Sequence, residues 1–295
     1  MPSGKWGESN EMPSLGSPPC LVAHRHALGT RCEIFFHSHS PENRHAAEVA
    51  LDELTRIDGW LSRFDPASEV WRINHTPPLQ PLLLDYELTA LLRLCQTAWE
   101  LTEGAFDIVA GSRDPAGTPL TWQDLDFNPQ YRRLAKTKEG LQLDFGGIGK
   151  GYALDQAAHL LRKSGLTAAL LNAGQSSQYA LNESPTAPDW TITLPDGQTH
   201  FPLRSAGLST SASTPRRTVE DTPANPTDIL SPTTGTAVSE PWSVTATAPT
   251  ATWAEVATTA WLASSTAQRE SLWSRLASVG VIPVQILDLA KSSHG

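Results

Sequence analysis

The chain has 295 residues, a formal net charge of -9, and 39% hydrophobic against 18% charged residues. The acidic balance and the lack of any basic run argue against nucleic-acid binding, and no segment is long and apolar enough to span a membrane. Cys20, Cys32 and Cys95 are too widely spaced for a zinc knuckle or a disulfide framework, so Cys32 and Cys95 read as small core residues in a reducing compartment.

Residues 1–20 carry Gly, Ser, Pro and charge but no apolar h-region, so they read as a disordered tail rather than a signal peptide. The expectation is a cytoplasmic protein with one large α/β or α+β domain, ordered from near Leu21. Cys32 to Phe36 is β-rich. His24 and His26, like His37 and His39, would share a strand face; with no third ligand they read as solvent-facing. Asn43 to Leu61 has an amphipathic stripe of Ala46, Val49, Ala50, Leu54, Ile57 and Leu61. A turn at Ser62-Arg63-Phe64-Asp65-Pro66 and a short helix over Ser68 to Asn74 follow; an aromatic at such a turn could stack on a planar ligand. Glu87 to Thr102 is a second strong helix, ended by Gly104. Asp107 then sits inside an apolar run, where a carboxylate needs a hydrogen-bond donor or a ligand.

Thr121 to Lys138 reads as loop with short elements. Leu141, Leu143 and Phe145 alternate with Gln142 and Asp144, as at a strand end with one buried face. Gly146, Gly147, Gly149 and Gly151 follow, and helical spacing runs from Tyr152 to Ser164. Strand, glycine turn and helix together aim free backbone N–H groups at an anion, with Lys150 inside the turn as a cation. A P-loop is excluded, since it requires Gly where Asp144 stands and Ser or Thr where Gly151 stands. The alternative is a turn that only lets a helix pack on its strand.

Thr167 to Leu171 reads as a buried strand, with Asn172-Ala173-Gly174 at its C-terminal end, where open α/β sheets place ligands. Gln175 to Asp189 reads as loop, Trp190 to Leu194 and Phe201 to Arg204 as a hairpin. Asp228 to Gly235 suggests a short strand and a turn, and Trp242 to Ala246 a strand. In the helix Thr252 to Ala263, Glu255 and Thr259 lie one turn apart. A carboxylate and a hydroxyl so placed can share a hard cation, or can serve the helix dipole and packing. Gln268 to Leu276 and Val279 to Leu287 close the chain as helix and strand.

In this order, Leu28-Gly29-Thr30, Ser62-Arg63-Phe64, Ser68-Glu69 with Asn74, Gly104-Ala105-Phe106-Asp107, the unit from Asp144 to Asp155, Asn172-Ala173-Gly174, Ser209-Thr210-Ser211, Asp228-Ile229 with Pro232 and Gly235, and Ala254-Glu255 with Thr259 resemble the ApbE family of FAD:protein FMN transferases. The resemblance covers the chain from about Leu21 onward. It implies a single large T-fold-related α+β domain over 21–295, built of mixed sheets and packed helices, that moves FMN from FAD to a threonine hydroxyl of a partner protein in trans, with Mg²⁺, releasing AMP. It also leaves room for a homodimer. By position it implies metal ligands at the Gly147 carbonyl, Glu255 and Thr259, and an FAD site lined by Leu28, Phe64, Ala105, Phe106, Asp107, Asp144, Lys150 and Ile229. Asp228 stands where the family usually has its His, the candidate base. Glu255 stands for the usual Asp, and Gln175-Ser176 for Gly-Asp. These departures set two alternatives beside the transferase: a relative that binds or slowly hydrolyses FAD, and a non-catalytic scaffold.

Overall fold

The computed structural model describes residues 5–8, 21–37, 40–213 and 229–292. In chain order the elements are β1 (Lys5–Glu8), β2 (Leu21–Ala27), β3 (Thr30–Phe36), α1 (Pro41–Leu61), α2 (Glu69–His75), β4 (Leu82–Leu83), α3 (Tyr86–Leu101), β5 (Leu125–Asn128), β6 (Arg133–Lys136) and α4 (Gly149–Lys163). Then come β7 (Ala168–Ala173), β8 (Ser177–Asn182), β9 (Trp190–Thr193), β10 (His200–Leu203), β11 (Ala206–Ala212), β12 (Trp242–Ala248), α5 (Ala251–Ala263), α6 (Thr266–Leu276), β13 (Ile282–Asp288) and α7 (Leu289–Ser292). The main sheet has the order β1-β2-β3-β7-β8-β11-β12-β13, and all its pairings are antiparallel. A three-stranded sheet β4-β6-β5 and the β9–β10 hairpin stand apart from it. The architecture is the α+β mixture of helices and several sheets that the resemblance implies.

Helices α1, α4 and α5 cover one face of the main sheet. The Ser40 hydroxyl caps α1 by accepting from the Asn43 amide at 3.1 Å, and Ala46, Ala47, Ala50, Leu51, Leu54, Ile57 and Leu61 form its buried face. Each buried leucine or isoleucine contributes roughly 2 kcal/mol of apolar burial. Helix α5 is different: Ala254, Val256, Ala257, Ala260 and Leu262 are all buried, on every side of the helix, as befits a central helix wedged between α4 and the sheet.

Two glycines let that wedge close. A Cβ on Gly151 would come within 2.5 Å of the Ala251 carbonyl oxygen and 2.8 Å of the Thr252 Cα, and a Cβ on Gly207 of β11 would strike the Ala251 backbone from the other side. The opposite sheet face carries a second apolar cluster, Val22, Phe35, Leu170, Ala180, Trp190, Ile192, Leu194, Leu203 and Leu208, roofed by the β9–β10 hairpin.

Five sequence expectations need correcting. Residues 141–145 alternate in burial but form no strand; the side chain of Asn74 takes the neighbouring strand's place, accepting from the Leu143 amide at 2.7 Å and donating to the Leu143 carbonyl at 3.0 Å. Asn172-Ala173-Gly174 ends β7 in a tight turn to antiparallel β8, with Gly174 at φ 62°, so the parallel-sheet rule for ligand sites does not apply. The stretch read as loop after Gln175 contains β8, buried throughout. His37 does not face solvent: it stacks on Trp190 with ring centroids 5.1 Å apart, and burial lowers its pKa. His39 lies outside the described residues. Lys5–Glu8, within the stretch read as a tail, pairs with β2. Cys32 and Cys95 are buried free thiols, and burial pushes the Cys32 thiol up to about 12.

Candidate functional site

The glycine unit and helix α5 meet where Gly147 faces Thr259. A Cβ on Gly147 would lie 3.0 Å from the Thr259 Cγ2, 3.5 Å from its Oγ1 and 3.5 Å from the Phe106 ring. One turn back along α5, Glu255 is 3% exposed. Its Oε2 accepts from the Gly151 amide at 2.5 Å, and its Oε1 is paired with the Lys150 ammonium. A carboxylate from α5 thus satisfies an orphan N–H at the start of α4, whose N-cap Ile148 supplies no side-chain cap. The free amides of the glycine unit are in part already answered by this internal anion.

Asp144 closes the other side of the unit. Its Oδ1 accepts from the Gly146 amide at 2.8 Å, its Oδ2 pairs with Arg63 at 3.0 Å, and its own amide donates to the Ile108 carbonyl at 2.8 Å. Arg63 also lies over the Phe64 ring, 4.8 Å from its centroid. Phe64 is 78% exposed, so an aromatic face stands open to solvent beside the glycine unit.

Asp107 finds the donors its setting demands. Its Oδ1 accepts from the Val109 amide and its Oδ2 from the Trp122 amide, both at 2.8 Å. Burial pushes this carboxyl up to about 6 against the pull of those amides. Asp107 therefore organises the loop after α3, with Ala105 and Phe106 buried beside it.

Leu28 and Gly29 form the turn of the β2–β3 hairpin, both left-handed, with φ 57° and 68°. A leucine held there costs about 1–3 kcal/mol, and Leu28 packs half-buried against the main core. Thr30, next in the turn, lies so close to Gly174 that a Cβ there would come within 2.5 Å of its Oγ1. The two hairpin turns are thus packed together. Ile229 also packs against the main core, and its carbonyl accepts from the Val238 amide at 2.9 Å. Asp228 lies outside the described residues.

Gly147, Phe106, Thr259, Glu255 and Lys150 are thus gathered at one seam, with Asp144, Arg63 and Phe64 at its edge. Sequence reasoning missed two participants. Arg63 is legible only as part of a turn motif, yet it is the ion partner of Asp144. Thr258, fully buried, takes hydrogen bonds with Ser209 at 3.2 Å and Ser211 at 2.9 Å; the hydroxyl-rich run 209–211 was the signal, and it ties α5 to β11.

The donor set is all oxygen: a carbonyl, a carboxylate and a hydroxyl, the chemistry a hard divalent cation takes. Among the described residues no group of three or more His, Cys, Asp or Glu side chains gathers. A single carboxylate already shared with Lys150 leaves the site short of negative charge, and an anionic ligand fits that need. Among the described residues no helix is long and apolar enough to cross a membrane.

The ApbE family model matches residues 28–282. A FAD:protein FMN transferase of Chlamydia pneumoniae is 29% identical over 119 residues, which is 34% of this chain and 38% of that relative. The crystal structure of the ApbE protein from Thermotoga maritima superposes with a TM-score of 0.75 at 25% identity, covering 91% of this chain and 96% of that one. The apo flavinyl transferase ApbE of Pseudomonas stutzeri shares the fold, with a TM-score of 0.74 at 21% identity over 91% and 92% of the two chains. With nearly its whole length matched to the family model and the fold to solved members, this chain belongs to the ApbE family.

Proposed function

We propose that this protein transfers the FMN moiety of FAD to a threonine hydroxyl of a partner protein, with Mg²⁺, and releases AMP. The observation that carries this reading is the seam itself: Gly147 packed against Thr259, one turn from a buried Glu255 that holds Lys150. Family membership brings the activity into view, and the charge balance of the seam supports it. Lys150 and Glu255 cancel, so a divalent cation settles there best together with a diphosphate.

In this reading Gly147, Glu255 and Thr259 would hold the cation, which would supply charge neutralisation for the diphosphate. Lys150 stands beside the same group and stabilises the charge that develops on the departing phosphate. The acceptor hydroxyl oxygen bonds to the phosphorus on the flavin side, the bond from that phosphorus to the bridging oxygen breaks, and the bridging oxygen leaves with AMP. Asp228 receives the hydroxyl proton. An ordinary aspartate, with a pKa of about 3.9, is a weaker base at neutral pH than the histidine it replaces. Arg63 and Phe64 form the rim, with the exposed ring offered to a planar heterocycle. Leu28, Ala105, Phe106, Asp107, Asp144 and Ile229 complete the proposed FAD site.

The test is AMP release from FAD and Mg²⁺, followed by chromatography with and without a threonine-bearing acceptor. The expected result is release only with the acceptor. Release independent of acceptor would convert the reading to a hydrolase, and no release with no flavin binding would leave a scaffold.

A further inference from the structure

The seam between α4 and α5 is capped from both sides. Glu255 of α5 takes the Gly151 amide of α4. Asp155 of α4 returns the favour at the start of α5: its Oδ1 accepts from the Ala251 amide at 2.8 Å, and its Oδ2 from the Thr252 amide at 2.9 Å and from the Thr252 hydroxyl. Each helix thus presents a carboxylate to the other's N-terminal amides, where both the orphan donors and the helix dipole favour an anion. The two backbone-amide bonds to Asp155 fix α5 along its own axis. Four residues after Ala251 the same helix carries Glu255, and eight after it Thr259, so the axial position of α5 sets what faces Gly147.

We propose that Asp155 is the positioning residue of the cation-binding seam: it touches neither flavin nucleotide nor metal, but holds α5 in the register at which Glu255 and Thr259 meet the glycine unit. The inference deepens the function proposed above and rests on it for the identity of the cation. Burial pushes the Asp155 carboxyl up to about 6, with the Thr252 hydroxyl and the two amides pulling it back. The fold therefore bears the cost of an ionised buried carboxylate near neutral pH, a cost that the three donors at the head of α5 offset.

The experiment compares the full-length protein with Asp155→Asn, the milder Thr252→Ala, and Leu203→Ala, which removes a buried side chain from the far face of the sheet. Two quantities are read on folded samples: Mn²⁺ affinity, by titration with saturating FAD present, and hydrogen exchange of the Gly151 amide, which needs neither metal nor nucleotide. Asn supplies one acceptor oxygen where two are used, so in Asp155→Asn the Gly151 amide should exchange on the order of tenfold faster and Mn²⁺ should bind about 10–100-fold more weakly, as when an outer-shell partner of a metal ligand is lost. Thr252→Ala should shift both in the same direction by less, and keeps the test alive if Asp155→Asn does not fold. Leu203→Ala should lower the melting temperature and leave both quantities alone. Wild-type exchange at Gly151 in both seam variants, or an equal change in Leu203→Ala, would overturn the positioning role. A wild-type protein that binds FAD but ignores Mn²⁺ in its presence would overturn the cation reading instead, and the Gly151 amide would still decide the role of Asp155.

Discussion

Strand β11 shows two faces of one sheet built by different physics. Ser209 and Ser211 point to α5 and hydrogen-bond Thr258, while Leu208, just before them and on the alternate face, joins Trp190, Ile192 and Leu203 in the cluster under the β9–β10 hairpin. Along this strand the helix face buries carboxylates and hydroxyls and half-buries a lysine in a network where each bond depends on another. The hairpin face buries side chains whose contribution is area removed from water. Changes on the first face should therefore damage activity out of proportion to stability, and changes on the second should do the reverse.

The largest expected effect is on the helix face. Glu255→Gln keeps the shape but removes the anion that holds Lys150 and the Gly151 amide; flavin transfer should fall at least 100-fold, measured as initial rate at saturating FAD. Retention of most of the rate would place the cation elsewhere.

Next comes a pair of variants with similar cost and opposite consequence. Gly151→Ala drives a methyl into backbone on the facing helix, and about 3 kcal/mol of overpacking strain should appear in urea unfolding, together with lost transfer. Leu203→Ala should cost about 2–5 kcal/mol through a cavity, with transfer intact below the unfolding range. If the two variants lose activity alike, the distinction between the faces fails.

The smallest effect is a pH dependence. Asp107 has a folded pKa of about 6 against an ordinary 3.8, so the fold holds its proton more tightly than the unfolded chain does. The stability this gives is full below about 3.8 and is lost as pH rises through about 6. Relative to Asp107→Asn, wild type should lose on the order of 2–3 kcal/mol between pH 4 and pH 7, read from urea midpoints at each pH. A wild-type stability that rises with pH relative to Asp107→Asn would contradict burial as the governing cause.

The long helices were legible because their apolar spacing is what a core-facing helix requires: α1, α3, α4 and α5 lie within one to three residues of the periodic stretches. The glycine unit was read as an anion cradle or as a turn that lets a helix pack on its strand; Gly151 does serve packing, but against the backbone of α5, a partner distant in the chain that the local pattern does not name. Other parts were hidden for definite reasons. Residues 141–145 have a strand's alternating burial, but an asparagine side chain 69 positions away in sequence stands in for the neighbouring strand, and periodicity cannot tell the two apart. Strand β8 carries Ser177, Gln178 and Asn182 as buried residues, so its composition imitates a loop. Asp155 ends a recognisable motif, yet its partners are 96 and 97 residues away, a pairing that no local pattern records.

The central claim is that the α4–α5 seam serves the movement of a flavin phosphate onto a threonine. The most direct measurement is the mass of a threonine-bearing acceptor peptide after incubation with the protein, FAD and Mg²⁺, alongside the same peptide with alanine at that position. The account predicts a gain equal to FMN less water on the threonine peptide alone. An unmodified threonine peptide in the presence of bound FAD, or equal labelling of the alanine peptide, would contradict it.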